Sequence, residues 1–85
     1  MEETRLAVIA IIVKSKESVE ALNELLHQYS DFIIGRMGVP YRAKGLNVIS
    51  VVLDAPNQAI SSLAGKIGRL KGVTAKAVYS NPDKA

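Results

Sequence analysis

The sequence predicts a small α+β domain in which two helices cover a four-stranded antiparallel sheet. Two observations lead to this prediction. A strand, helix, strand pattern occurs twice within 85 residues, and the first and third predicted strands are apolar on both faces, as central strands should be. A single layer of helices covers only one face of a sheet, so the other face is expected to bury itself against a partner.

The first copy of the pattern contains one central strand, one helix and one edge strand. Leu6 to Val13 is too short and too rich in Val and Ile for a helix, so it predicts a strand. Ser15 is a candidate N-cap for a helix that continues to Ser30. The apolar residues of that helix recur at helical spacing: Val19, Leu22, Leu25, Leu26 and Tyr29. A strand over residues 32–41 follows, and its two glycines and one proline place it at an edge of the sheet.

The second copy begins with a turn in which Gly45 can adopt a positive φ. Leu46 to Leu53 predicts a central strand, and Asn57 is a candidate cap for a second helix that Gly72 ends. Residues 73–79 alternate in polarity, which favours the opposite edge. With right-handed crossovers, the order βαββαβ gives the ferredoxin-like arrangement, in which strands one and three are central.

Composition limits the classes of function. The chain has no cysteine, which excludes disulfides and thiolate metal sites. Its acidic start and short apolar runs predict neither a signal peptide nor a membrane span, so we expect a cytoplasmic protein without a membrane partner. The net charge of +3 is dispersed, and no aromatic side chains stand at mid-strand, so no direct nucleic-acid binding is expected. One domain is predicted over residues 1–80, with a flexible tail at 81–85.

The outward face of the sheet predicts self-association. Both helices cover the same side in this topology, which leaves one register of the first strand facing outward. A contiguous apolar patch usually marks an interface, so we expect a homo-oligomer with a dimer as its minimum. Two tyrosines join the predicted interface because they combine apolar area with a hydrogen-bonding tip. The predicted interface residues are Leu6, Val8, Ala10, Ile12, Tyr41 and Tyr79.

The second strand contains the candidate ligand site. Arg36 stands between Gly35 and Gly38, where a ligand can approach the backbone while the guanidinium binds a carboxylate or phosphate. The alternative is an edge strand that simply bends at its glycines. Arg42, in the hairpin turn, can join the site. The predicted ligand-binding residues are therefore Gly35, Arg36, Gly38 and Arg42, with a small anionic effector as ligand.

No catalytic or metal centre is predicted. His27 is the single histidine, and a metal site needs three or four ligands, so a solvated side chain is expected unless a symmetric oligomer gathers several copies. Ser50 lacks a neighbouring base, so we expect no enzyme and no cofactor. Gly65 and Gly68 interrupt the second helix at about 1 kcal/mol each. Close packing against a neighbouring element explains them best, and a bound ligand is the alternative.

Four segments resemble a known family. The stretches from Asp31 to Arg42 and from Asn47 to Pro56 resemble the small family described as regulators of the iron-only hydrogenase system. The segments Arg5 to Ile9 and Leu63 to Gly68 resemble it too, so the likeness covers most of the chain. That family is similar in fold to amino-acid-sensing ACT domains and to the C-terminal domain of the nickel-responsive repressor. Both oligomerise and bind effectors at subunit boundaries, which implies an ACT-like regulatory domain here.

Two departures from these related domains narrow the expected effector. The turn Lys14 to Glu17 lacks the glycine that ACT domains place after strand one. The chain also lacks the histidines, cysteine and DNA-binding segment of the nickel repressor. Regulation is then expected to act through another effector or another protein. The alternatives are a structural adaptor that binds a maturation or regulatory protein without a small ligand, and a small dimeric α+β barrel enzyme.

Overall fold

The computed structural model describes residues 3–81 and confirms the predicted βαββαβ order. Its elements are β1 (Arg5–Val13), α1 (Val19–Gln28), β2 (Ile33–Tyr41), β3 (Leu46–Ala55), α2 (Asn57–Gly68) and β4 (Val73–Tyr79). The strand order is β2-β3-β1-β4 and every pairing is antiparallel. Both predicted central strands and both predicted edges are therefore confirmed. Most of the predicted tail, residues 82–85, lies outside the described residues.

The core lies between the sheet and the two helices. Every second residue of β1 from Ala7 to Val13 is buried, and the alternation in β1 is complete. α1 contributes Leu22 and Leu26, and α2 contributes three apolar side chains that are fully buried: Ile60, Leu63 and Ile67. Full burial of one such side chain contributes about 1.5–3 kcal/mol. The helices are thus held by their apolar faces. None of the helices found between residues 3 and 81 has the length and hydropathy needed to cross a membrane.

The opposite side of the sheet has no helix over it in the single chain. Leu6, Val8 and Ile12 of β1 are 37–47% exposed. Val8 pairs with Val52 of β3, and Ile12 pairs with Val48, so the outward register continues across the sheet. This surface, formed by Leu6, Val8, Ala10, Ile12 and their cross-strand neighbours, is called the open face. The prediction that this register points away from the helices is confirmed.

The predicted helix caps are wrong. The chain makes a 3₁₀ turn at Lys16–Ser18 before α1, and neither Ser15 nor Ser18 forms a side-chain capping bond. Ser18 Oγ instead donates to the carbonyl oxygen of Lys71 at 2.6 Å. Asn57 likewise does not cap α2, because Pro56 holds that position. The Asn57 side chain instead accepts a hydrogen bond from Arg5 at 3.5 Å. Both polar side chains bond to distant segments instead of their own helix ends.

Gly72 holds two turns together at one end of the sheet. Its φ is +70°, and a Cβ added there would lie 2.8 Å from Cβ of Ser15. The Lys14 amide also donates to the Gly72 carbonyl oxygen at 2.7 Å. Glycine is thus required both by the left-handed backbone and by the close approach of Ser15. α2 itself ends at Gly68, four residues before the predicted stop.

The glycines inside α2 have no such packing reason. A Cβ added at Gly65 or at Gly68 would meet no heavy atom within 4 Å. The prediction that a neighbouring element approaches them closely is therefore wrong for the described part of the chain.

One cluster of polar side chains joins the two helices. Tyr29 Oη lies 3.2 Å from Ser62 Oγ, and Lys66 Nζ donates to the same phenol oxygen at 3.1 Å. The Lys66 ammonium also lies 5.4 Å from the centre of the Tyr29 ring. The hydrogen bond with Ser62 and then that with Lys66 lower the pKa of Tyr29 below its ordinary value. Both hydrogen bonds thus stabilise the phenolate of Tyr29 relative to the same group in the unfolded chain.

Replacing Gly72 should weaken the fold, whereas replacing Gly65 should strengthen it. Gly72→Ala forces a strained φ and a clash with Ser15, so we expect a loss of about 1–3 kcal/mol in the free energy of unfolding. Gly65→Ala, the matched control, adds a helix-favouring side chain in open space and should gain about 0.5–1 kcal/mol. Urea unfolding followed by far-UV circular dichroism measures both. Equal stability of the two variants would contradict the close contact at Gly72.

Removing the Ser62 hydroxyl should raise the pKa of Tyr29 toward its ordinary value. A Tyr41→Phe, Tyr79→Phe background leaves Tyr29 as the only tyrosine of the three, so phenolate absorbance against pH reports that group alone. Because the folded pKa is depressed, the contribution to stability is fully present above the unfolded pKa and disappears as pH falls through the folded value. Ser61→Ala, one residue away on α2, is the control and should leave the curve unchanged. An unshifted curve for Ser62→Ala would rule out the hydroxyl as a cause.

Candidate ligand-binding site at the hairpin end of the sheet

Topology brings two turns together at one end of the sheet. β1 and β2 both run antiparallel to β3, so their C-terminal ends lie on the same side. The turn after β1 (residues 14–18) therefore faces the β2–β3 hairpin turn (residues 42–45). A groove of about 310 Å³ lies between them. We call it the basic groove, and its main polar and ring-bearing lining residues are Lys14, Lys16, Pro40, Tyr41, Arg42 and Asn47.

The basic groove is positively charged. Lys14, Lys16 and Arg42 line it, all three are exposed, and no carboxylate is among the lining residues. Within residues 3–81 none of the three forms an ion pair. Glu17, adjacent in sequence to Lys16, is paired instead with Lys71 Nζ at 2.9 Å. Several unneutralised cations on one concave surface attract anions.

Backbone contacts hold both walls of the groove. On one side, the Lys14 amide is bonded to Gly72 and Ser18 is bonded to Lys71. On the other side, Gly45 has a φ of +65°, as its sequence position predicted, and its amide donates to the Arg42 carbonyl oxygen at 3.1 Å. The backbone segments that contain the three cations are thus positioned before any ligand binds.

A second groove lies between α1 and β2. It has a volume of about 280 Å³ and contains Arg36 and Gly38. We call it the apolar groove because Val19, Leu22 and Ile49 form much of its surface. Arg36 Nη2 donates to Asn23 Oδ1 at 3.3 Å, which ties the guanidinium to α1. The apolar groove adjoins the basic groove, since both are lined by the same three residues: Val13, Pro40 and Asn47.

The four predicted ligand residues do not converge on one point. Arg36 and Gly38 line the apolar groove, Arg42 lines the basic groove, and Gly35 lines neither. Gly35 instead follows a register shift between Ile33 and Gly35, the bend that the alternative interpretation expected. Sequence reasoning missed Lys14 and Lys16. The available signal was topological, because the predicted strand order puts the turn after β1 beside the hairpin turn.

The predicted interface residues divide between the two faces of the sheet. Leu6, Val8, Ala10 and Ile12 lie on the open face, and Tyr41, which is 49% exposed, lies there as well. Tyr79 pairs with Ala7, whose side chain is buried under the helices, so Tyr79 points to the helix side. There its ring packs under Arg5, with the guanidinium carbon 4.9 Å from the ring centre.

No metal centre is apparent in the described part of the chain. His27 is exposed on α1, beside a third groove of about 360 Å³ that Asn23 and Arg36 also line. Across residues 3–81, no cluster of three or more His, Cys, Asp or Glu side chains is close enough to hold a metal ion. Arg36 is the one lysine or arginine that lines this third groove, whereas three such residues line the basic groove.

Comparison with known proteins establishes the family. Residues 5–77 match the TM1266-like family, described as "Iron-only hydrogenase system regulator, putative". The structure of uncharacterized protein TM1266 from Thermotoga maritima is 35% identical, with a TM-score of 0.89, over 93% of this chain and 100% of that chain. No curated protein matches the chain.

Two more distant structures share the fold alone. The C-terminal domain of the MgtC protein from Mycobacterium tuberculosis is 12% identical, with a TM-score of 0.72, over 100% of this chain and 97% of that one. A formyltetrahydrofolate deformylase from Pseudomonas putida KT2440 is 13% identical, with a TM-score of 0.63, over 86% of this chain and 28% of that one. The match over residues 5–77 and the 35% identity to TM1266 decide the assignment: this chain belongs to the TM1266-like family, whose description is that of an iron-only hydrogenase system regulator.

Proposed function

We propose that this protein is a homo-oligomeric, non-catalytic regulatory module of the iron-only hydrogenase system that binds a small anionic effector. The family description supplies the system and the regulatory role. The observation that supports self-association is the open face, which is broad, apolar and free of any covering helix in the single chain.

The open face gathers most of the exposed apolar surface. Within residues 3–81, nine large apolar side chains are exposed, and cross-strand pairing puts eight of them on this face. These eight are Leu6, Val8, Ile12, Met37, Val39, Tyr41, Val48 and Val78. Two charged residues point to the same face: Lys76 lies on the edge strand β4, and Asp54 lies near the end of β3. A face with this distribution is typical of an interface core with a polar rim.

A second copy of the chain is the occupant that best fits this face. Four strands about 4.8 Å apart and about 30 Å long give roughly 600 Å² per copy, or about 1,200 Å² for two copies. That total is at the lower end of stable protein interfaces. A twofold axis brings identical patches together, so an apolar centre without charge is complementary to itself. Ala10 and Ser50, which pair at mid-strand, place two small side chains at that centre.

The effector-binding part of the proposal rests on Arg36, Gly38 and Arg42, with Gly35 beside them. Two adjoining grooves contain the two arginines, and neither groove has a carboxylate in its lining. Guanidinium groups bind carboxylates and phosphates through paired hydrogen bonds. A small anion bound at this end of the sheet would lie next to Tyr41, which belongs to the open face, and so next to the proposed subunit contact.

A charge on the open face should dissociate the oligomer. Val8→Glu buries a carboxylate at the proposed contact without a partner, which costs several kcal/mol in association, so sedimentation equilibrium at micromolar concentration should show monomers. Ile34→Glu is the matched control, since Ile34 is 63% exposed but lies at the register shift of β2. It should keep the wild-type mass. A wild-type protein that sediments as a folded monomer would refute self-association.

Loss of the Arg36 guanidinium should weaken effector binding. A thermal-shift screen of carboxylate- and phosphate-bearing metabolites identifies ligands of the wild-type protein, and Arg36→Ala should reduce the shift by half or more. Arg69→Ala removes an exposed cation that lines neither groove and should leave the shift intact. Hits that are insensitive to Arg36→Ala would contradict a role for this side chain. A screen without hits would instead favour the adaptor alternative.

A further inference from the structure

We infer that the basic groove binds a small phosphate ester, with the phosphate held by Lys14, Lys16 and Arg42. This inference rests on the effector-binding part of the proposed function and specifies the ligand class and its position. It does not depend on self-association. Of the three cations, two come from the turn after β1 and one from the hairpin turn, so the ligand would bridge two segments that are far apart in the chain.

The charge of the groove calls for a compact dianion. Three cations face one space of about 310 Å³, no carboxylate lines it, and none of the three is ion-paired within residues 3–81. A phosphate ester carries a charge of about −1.5 to −2 at neutral pH and three acceptor oxygens. The planar guanidinium of Arg42 suits two of those oxygens, and a lysine ammonium suits the third. A single carboxylate offers fewer acceptors and half the charge.

The rest of the groove indicates that the ligand is more than inorganic phosphate. A water molecule occupies about 30 Å³ in the liquid, so a groove of about 310 Å³ has room beyond a bare ion. Pro40 and Tyr41 are both among the residues that line that remaining space, so two ring-bearing residues border it. Asn47 is partly buried there and can both donate and accept a hydrogen bond. We therefore assign the organic part of the ester to the side lined by Tyr41 and Asn47.

The groove is also better prepared for an anion than its neighbours. The turn that contains Lys14 and Lys16 is fixed by the Lys14 amide bond to Gly72 at 2.7 Å and by the Ser18 bond to Lys71 at 2.6 Å. Little backbone ordering remains to oppose binding. In the apolar groove, the only cation is Arg36, and its guanidinium is already hydrogen-bonded to Asn23.

Isothermal titration with three related probes tests the inference on the full chain at fixed ionic strength. Uridine 5′-monophosphate combines a phosphate with a flat body, whereas inorganic phosphate and uridine each supply one half. We expect the monophosphate to bind about tenfold or more tightly than phosphate, and uridine to show no binding at millimolar concentration. Lys14→Gln and Arg42→Gln should each weaken the monophosphate about tenfold, as expected for loss of one charge-assisted hydrogen bond. Arg69→Gln, which removes the same charge outside the groove, should change affinity less than twofold.

Several results would overturn the inference. The first is the absence of heat when the monophosphate is titrated at millimolar concentration. The second is equal affinity for the monophosphate in the wild type and in a Lys14→Gln protein that keeps the wild-type circular dichroism spectrum. The third is tighter binding of citrate than of the monophosphate. Sedimentation of the same samples separates the two proposals. A monomer that binds the monophosphate through Lys14 contradicts only self-association, whereas an oligomer that binds metabolites through Arg36 but not through Lys14 contradicts only the basic groove.

Discussion

The rest of this structure depends on a mismatch between the sheet and the layer that covers it. β1 and β3 carry apolar side chains on both faces, yet α1 and α2 lie on one side only. The covered side forms a closed core in which Ile9, Leu53 and Leu63 have no accessible surface. The uncovered side retains water contact that apolar groups disfavour by about 25 cal/mol per Å². The helices therefore complete the core on one side of the sheet, and they leave an apolar surface in contact with water on the other.

The second constraint is the contact between two turns at one end of the sheet. Gly72 permits the turn before β4 to touch Ser15, and the contact fixes the turn that follows β1. Because β2 ends at the same side, its hairpin turn closes the opposite wall of the groove. The strand order thus creates the basic groove, and Lys14, Lys16 and Arg42 on the two turns give it its positive charge. Short loops on a rigid sheet are common positions for binding residues.

Much of the fold followed from local pattern. The lack of polar alternation identified β1 and β3 as the central strands, and Gly45 identified the hairpin turn. These features depend on neighbours in sequence, so sequence exposes them. The cap predictions were wrong because the side chains of Ser18 and Asn57 form hydrogen bonds with residues 53 and 52 positions away. Capping propensity describes only the local sequence, so it does not include such distant partners. The face on which Tyr79 lies is likewise set by its pairing with Ala7 across the sheet.

The candidate site was less accessible to sequence reasoning. The glycines around Arg36 were a visible local signal, but the two have different roles in the structure. Gly38 lines the apolar groove, whereas Gly35 follows the register shift in β2. Lys14 and Lys16 gave no local signal, since a lysine after a strand is ordinary. Their proximity to Arg42 is set by chain topology.

The irregular course of β2 has a consequence for how large an assembly of this protein can become. An edge strand with a complete row of free amides and carbonyls can template further strands without limit, as in fibres. The register shift near Ile34 interrupts that row at one end of β2, and Pro40 removes an amide at the other. Such irregularities discourage filament growth by edge pairing, so β2 is a poor template for adding strands from further copies of the chain.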